Sequence, residues 1–504
     1  MKEITEKSIK TVYDVLDEVT KIYHAVTVMN FDLETICPSG AMERQGDTMA
    51  YLQTEAYKRL KSEEFIAAAE QMYLGRDEEG VDPLDAVLAE SLHREYMKIK
   101  NVTPEMSHEF SLIRNKAYVD WLKAKQSDDY SVFAPSLEKI RDIGRKEIEL
   151  RDDAPKDVYD AMLDDYERGI TSADLDETFG VCKERLLPLL EKIKKSKKTI
   201  RRDFLTRRVP DERQRKMSRY LLETMNYDFT RGAFTTTEHP FTSDLARDDV
   251  RVTTHYYPEA FTSSMYSIIH EGGHALFGQL QPSSNHDHHI ESGMTMGMHE
   301  SVSRFYENRI GRSRAFIDLI YPRTKEIFPG LLDDVSPEEF YEGVNIVEPT
   351  LIRTEADEFT YTLHIIIRYE IEKMYVEGKV ATADLPRLWR EKYREYLGIT
   401  PQTEKEGVLQ DVHWSFGFGY FPTYALGNMY NAMYFNRMKG EIPVDSLVRS
   451  GDFKTLNGWM AENVFKRANV IPPKEWIREI TGRDFTPNDF LDYLEEKYGV
   501  IYGL

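Results

Sequence analysis

Apolar positions recur at helical spacing along the first two hundred residues. Val12, Val15, Leu16, Val19, Ile22 and Tyr23 form one such series, and Leu84, Val87, Leu88, Leu92, Tyr96 and Ile99 form another. Steps of three and four residues put each series on one helix face. Helix starts are legible too. Thr171-Ser172-Ala173-Asp174 sets capping residues before an acid in the first turn. Thr486-Pro487-Asn488-Asp489 sets a cap, a proline at the first helical position and an acid behind them. The basic run from Lys192 to Lys198, followed by Arg201 and Arg202, reads as a solvated helix face. The pattern changes near Tyr227. From there to Tyr257 the chain is rich in Thr, Phe, Tyr and Val, and Asp249 to Tyr256 alternates in part, as a strand does. The helical period then resumes and runs to the end, with no repeat and no long Gly/Pro/Ser linker. The expectation is a mostly α protein of long helices with one small antiparallel β-sheet. Residues 1–504 read as a single unit, divisible into two lobes at roughly 1–225 and 226–504.

Composition narrows the functions open to such a chain. Lys plus Arg number 66 and Asp plus Glu 87, a net charge of −21. That balance argues against non-specific binding to nucleic acid or to an anionic membrane surface, which need a basic face. Two cysteines, Cys37 and Cys182, build neither a disulfide framework nor a four-cysteine zinc site. The first residues carry no apolar signal-peptide core, and no run of 18 apolar residues occurs, so a cytoplasmic address and no membrane span are expected.

The strongest chemical signal is His270-Glu271-Gly272-Gly273-His274, inside a helical pattern from Thr262 to Gln279. Residues i and i+4 share a helix face, with Cβ atoms about 5–6 Å apart. Two imidazoles so placed can bind one Zn²⁺, and the glutamate between them can act as general base on the metal-bound water. Two glycines inside a helix cost about 1 kcal/mol each against alanine. Their presence implies close approach of another backbone or a substrate to that face. A catalytic zinc takes a third protein ligand and keeps one open position. His286, Asp287, His288, His289, Glu291 and Glu300 are candidates, and spacing alone does not choose among them. The stretch Asn285 to His289 reads as a solvated loop. Glu300 lies in Met298 to Phe305, a second helix and a more rigid platform for a ligand.

Further segments raise the specificity of this pattern. They are Phe31-Asp32-Leu33-Glu34-Thr35 with Pro38, His239-Pro240-Phe241, Asp249-Val250-Arg251-Val252-Thr253, His299-Glu300-Ser301, Ile352-Arg353-Thr354-Glu355-Ala356-Asp357 and Gly407-Val408-Leu409-Gln410-Asp411-Val412-His413-Trp414. In this order, over most of the chain, the sequence resembles the carboxypeptidase Taq family of bacterial and archaeal metallocarboxypeptidases. One departure is Val302, where the family usually has Gln. The resemblance implies His270, His274 and Glu300 as ligands of one divalent metal, most readily Zn²⁺ with Co²⁺ or Mn²⁺ as alternatives, and Glu271 as general base. It also implies a homodimer, and a deep, mostly helical substrate groove like that of neurolysin and angiotensin-converting enzyme, with the small sheet beside the metal site.

A carboxypeptidase must recognise a free α-carboxylate, for which Arg is suited by its paired, charge-assisted hydrogen bonds. Arg353 is the first candidate, with Asp357 four residues on to orient it. Arg251 is the second, or else holds the sheet against the groove. The developing oxyanion needs a donor, and His413, Tyr420 and Tyr424 lie in a Gly- and aromatic-rich segment suited to supply one. His239 is a further candidate for the substrate site. The strand ending near Tyr257 offers an edge to which a peptide could add as an extra strand. The alternatives are an oligoendopeptidase with the same metal site, which would cut C-terminally amidated peptides, and a non-catalytic peptide-binding protein, which would hold no metal.

Overall fold

The computed structural model describes all 504 residues as a succession of helices interrupted by one small sheet. The first helix, Glu3–Thr35, buries Val12, Leu16, Val19, Val26 and Phe31 along one face, while Tyr23 of the same apolar series is exposed. With helices Met42–Leu60, Glu63–Gly75 and Pro83–Ile99 it forms a layer with a small core of its own: Val12, Leu16, Phe65, Ala68, Met72, Leu88, Ala89 and, from far along the chain, Ile290. From Phe110 to Tyr502 the buried apolar residues make one continuous core. The helix Ser172–Lys195 starts with a reciprocal capping box between Thr171 and Asp174, as its sequence predicts. The last helix, Asn488–Tyr502, starts one residue later than its sequence predicts. Pro487 stands at the cap position, and the Asn488 N–H donates to Thr486 Oγ1.

The sheet has three strands, β1 (Phe234–Thr236), β2 (Thr242–Ala246) and β3 (Asp249–Thr254), in the order β1-β3-β2. It is mixed rather than purely antiparallel. β2 pairs antiparallel to β3, but β1 runs parallel to it, with Phe234 opposite Val252. After β1 the chain crosses the end of β3, where the Thr253 hydroxyl bonds both the N–H and the carbonyl of Phe241, and it returns on the far side as β2. β3 is therefore the central strand, with both flanks occupied. The strand ending near Tyr257 thus has no free edge; the outer strands are β1 and β2, and the first helix lies against β2.

β3 packs on the helix Phe261–Leu280, the His-Glu helix, which is buried on nearly every side. One of its two glycines, Gly273, has the backbone approach its sequence implied, while Gly272 faces side chains. A Cβ on Gly273 would lie 2.8 Å from Ser303 Cα and 3.2 Å from the Val302 carbonyl, so the helix Met296–Arg304 crosses with backbone against backbone. A Cβ on Gly272 would meet Leu222 and Met225 side chains at 3.1 Å. A third glycine, Gly427 of helix Pro422–Glu441, opens the other side: its Cβ would lie 3.1 Å from Glu300 Cγ. Val302 is fully buried at this crossing and turns no side chain toward the groove.

Gly273→Ala is expected to destabilise the protein by about 1–3 kcal/mol despite the better helix propensity of alanine, because the clash is with backbone. Thermal or denaturant unfolding measures it. Gly180→Ala, at a helix position with open space around it, serves as the comparison and should be neutral or stabilising.

Candidate metal centre

The His-Glu helix and the helix Met296–Arg304 bring three donors together. Glu300 Oε2 lies 3.6 Å from His270 Nε2 and 3.7 Å from His274 Nε2, and the two imidazoles stand nearly perpendicular, 5.0 Å apart. Three atoms so close around a common point suit one ion with ligand bonds of about 2.0–2.2 Å. His270 is oriented from behind by Glu307, whose Oε2 lies 2.9 Å from Nδ1. Arg304 ties both carboxylates together, donating to Glu300 Oε1 at 2.8 Å and to Glu307 Oε2 at 3.0 Å. Ser303 adds a hydroxyl bond to Glu300, and Arg312 lies 3.5 Å from Glu307.

Glu271, on the same helix, faces the groove, and its Oε2 accepts from Thr242 Oγ1 of β2 at 2.8 Å. Burial raises its carboxyl above the ordinary range, and Glu300 and Glu307 add to that against His270 and the Thr242 bond. Burial would lower His270, but Glu300, Glu307 and Glu271 around it outweigh that and raise it. His274 is held well below the ordinary histidine range by burial and by His299 and His270, so it presents a neutral imidazole. Burial works against the charge on Glu307, yet Arg304, His270 and Arg312 keep it ionised. Three carboxylates (Glu271, Glu300, Glu307) stand against two guanidiniums (Arg304, Arg312), which leaves one buried negative charge unmatched. A cation held by the imidazoles offsets that negative charge.

The cavity over these groups has a volume of about 370 Å³ and is lined by Pro240, Phe241, Thr242, Asp244, His270, Glu271, His274, Met296, His299, Glu300, Tyr420, Thr423 and Tyr424. Tyr420 and Tyr424 thus stand in its wall. His413 stands behind Tyr424, with Nε2 3.1 Å from its hydroxyl. Burial, with help from Arg353 and Arg368 and against Asp411, lowers His413 to about 4, so its ring is neutral at ordinary pH. The loop that carries His413 and Tyr420 is pinned by buried Glu372, which accepts from Trp414 Nε1 and the Gly419 N–H.

Arg353 is buried behind Tyr424, its guanidinium 4.7 Å from the ring centre. Its expected partner is not the observed one. Arg353–Glu355 is a short 3₁₀ turn followed by extended Ala356, so i and i+4 do not share a face. Asp357 instead accepts from the Phe359 and Thr360 N–H groups in the turn that precedes the helix Tyr361–Val376. Asp411 holds Arg353, accepting from Nε at 3.0 Å with Nη2 2.9 Å away, and its other oxygen accepts from Arg368 Nε at 2.7 Å. Tyr361 completes the setting: its hydroxyl takes Arg353 Nη1 at 3.0 Å, and its ring lies 4.3 Å from the Arg304 guanidinium.

Other sequence candidates lie apart. Arg251 pairs with Asp249 and covers the Phe31 ring, holding the sheet to the first helix. His239 is exposed on the turn before Pro240, outside the cavity wall. Asn285 to His289 does not form a free loop. Its first three residues end the short helix Ser283–Asp287, and His289 reaches Asp17 of the first helix at 3.1 Å. Sequence reasoning missed Glu307, Asp411, Tyr361 and Thr242. Glu307 left a signal, since Glu300, Arg304 and Glu307 recur at helical spacing.

Glu307→Gln should weaken metal binding by roughly 10- to 100-fold, as loss of a partner behind a metal-bound histidine does; competition with a chelator measures it. The His413 ring resonances in NMR should titrate near pH 4 and stay flat from pH 5 to 8.

Comparisons with known proteins place the whole chain in one family. Residues 11–498 match the family model described as carboxypeptidase Taq (M32) metallopeptidase. The chain is 37% identical to carboxypeptidase 1 of Bacillus subtilis over 98% of its length and 99% of the relative's. It is 35% identical to thermostable carboxypeptidase 1 of Thermus thermophilus, over 94% of each chain. The crystal structure of an M32 carboxypeptidase from Deinococcus radiodurans superposes with a TM-score of 0.94 at 30% identity, covering 99% of this chain and 100% of that one. A His-Glu helix crossed at Gly273 by a helix bearing the third acid, inside a fold shared from end to end, accords with what these matches establish: the chain belongs to the carboxypeptidase Taq (M32) family of metallopeptidases.

Proposed function

We propose that this metallocarboxypeptidase removes C-terminal residues from peptides with His270, His274 and Glu300 holding one divalent ion, Zn²⁺ in preference to Co²⁺ or Mn²⁺, and with Arg353 holding the substrate's α-carboxylate. The observation that carries the reading is a second unmatched charge. Arg353 and Arg368 share the single carboxylate of Asp411, which leaves one buried positive charge beside the cavity. Of the five guanidinium N–H groups of Arg353, three are committed to Asp411 and Tyr361 and two remain. A peptide's terminal carboxylate supplies the missing charge and the missing acceptors.

The bound ion supplies Lewis acidity, making water nucleophilic at neutral pH and polarising the scissile carbonyl. Glu271 takes the proton of the attacking water and passes it to the leaving amine. Thr242 holds that carboxylate toward the groove through a hydrogen bond to Oε2. Tyr420 and Tyr424 donate to the carbonyl oxygen as negative charge develops. The neutral His413 ring acts through Tyr424, whose oxygen lies 3.1 Å from Nε2; in the Nε2–H tautomer it donates to that oxygen and leaves the phenolic O–H for the cavity. Residues 1–504 act as one catalytic unit. A cytoplasmic address follows from the sparse cysteines, which suit a reducing compartment; a homodimer is assigned on family resemblance, and a sedimentation mass twice that of the chain is expected.

Three measurements test these roles. Glu271→Gln should retain stoichiometric metal by atomic absorption while kcat falls about 10²- to 10⁴-fold; near-normal turnover contradicts the assignment. Mass spectrometry of one peptide and its C-terminal amide should show stepwise shortening of the free acid alone, whereas internal cleavage of both would identify an endopeptidase. Arg353→Ala should lose roughly 10- to 150-fold in kcat/KM on the acid, the loss of a charge-assisted bond of about 1.5–3 kcal/mol, and should erase the discrimination against the amide.

A further inference from the structure

Beyond the metal donors, the cavity wall holds a carboxylate with no counter-ion. Asp244 follows Thr242 by two residues on β2, so both side chains project from one face of the strand toward the His-Glu helix. Thr242 meets that helix at Glu271; Asp244 meets it at Gly278, about 10 Å further along its axis. The glycine makes room: a Cβ there would lie 2.8 Å from Asp244 Oδ2. No Lys or Arg lies within ion-pair distance of Asp244, and its one side-chain partner is the Gln281 amide at 3.5 Å. Asp244 is exposed on the strand, yet the packing of its carboxyl against the helix raises it to about 6, with Glu291 adding repulsion and the more distant Arg231 opposing it. Elsewhere along the groove the carboxylates have found guanidinium or hydroxyl partners; this one faces the cavity without a cation.

Its place relative to the chemistry gives it a use. Arg353 connects to the His270 end of the helix through Tyr361, Arg304 and Glu307. Asp244 lies beyond His274, at the Gly278 end. A peptide with its terminal carboxylate at Arg353 and its last carbonyl at the triad therefore runs its N-terminal part past β2, over Asp244. We propose that Asp244 forms a subsite for a cationic group of the substrate N-terminal to the scissile bond, either a Lys or Arg side chain or the free amino terminus of a short peptide. The direction of the peptide rests on the reading of Arg353 above.

The test is a series of peptides that differ only by Lys, norleucine or Glu at each of the two positions preceding the scissile bond, each made with a free and an acetylated N-terminus. The quantity read is the Lys-to-norleucine ratio of kcat/KM within one enzyme preparation, which partial misfolding of a variant does not alter. A ratio of roughly two to five is expected in at least one position for the acetylated series if side chains occupy the subsite, the range an ion pair open to solvent supports. A preference for the free over the acetylated terminus, with a Lys ratio near one, assigns the subsite to the α-amine. In either case the preference should fall to about one in Asp244→Asn, and Asp244→Lys should favour Glu over norleucine. The same preferences in wild type and Asp244→Asn, in both series, overturn the proposal. Failure of the Arg353 reading shows separately, as equal cleavage of acids and amides, and leaves these ratios readable.

Discussion

Charge buried without a partner is costly, and the groove of this protein contains two buried clusters that each lack one unit. Around His270, three carboxylates face two guanidiniums. Around Asp411, two guanidiniums face one carboxylate. The first deficit is negative and suits a dication; the second is positive and suits a terminal carboxylate. Tyr361 joins them, its ring under Arg304 and its hydroxyl on Arg353. The distance between the two clusters is thus set by one aromatic side chain on the helix Tyr361–Val376, a rigid element rather than a loop.

The helical scaffold exists to hold that arrangement. Glycines at 273 and 427 let two helices close on the one that carries Glu300, and a clash on either side would move the third donor relative to the first two. β2 then lays Thr242 over Glu271 and leaves Asp244 open further along. The N-terminal helices have a separate small core and reach the catalytic body through Ile290 and His289, and the His24 ring meets the Leu245 carbonyl on the β2 edge. The strand edge nearest the metal is therefore partly covered by the first helix.

What could be read from the sequence followed the range of the interactions involved. His270, Glu271 and His274 are fixed by a single helix turn, and the two intervening glycines announced a close backbone crossing that Gly273 makes. The capping box at Thr171 is equally local. Glu300 needed the family resemblance, because its distance from His274 in sequence says nothing of distance in space. The Arg353–Asp357 expectation failed because it assumed helix where the chain turns and then extends. The real partner, Asp411, comes from 58 residues away. The mixed sheet was illegible for a similar reason: strand alternation gives the faces of a strand but not the direction of its neighbour.

The most direct test of the account is anomalous X-ray scattering at the zinc edge from crystals grown with one equivalent of Zn²⁺. The account predicts one strong peak per chain, about 2.0–2.2 Å from His270 Nε2, His274 Nε2 and a Glu300 oxygen, with Glu307 bonded to the far side of His270. A peak at His286, His288 or His289 instead, or none at the triad, would contradict it.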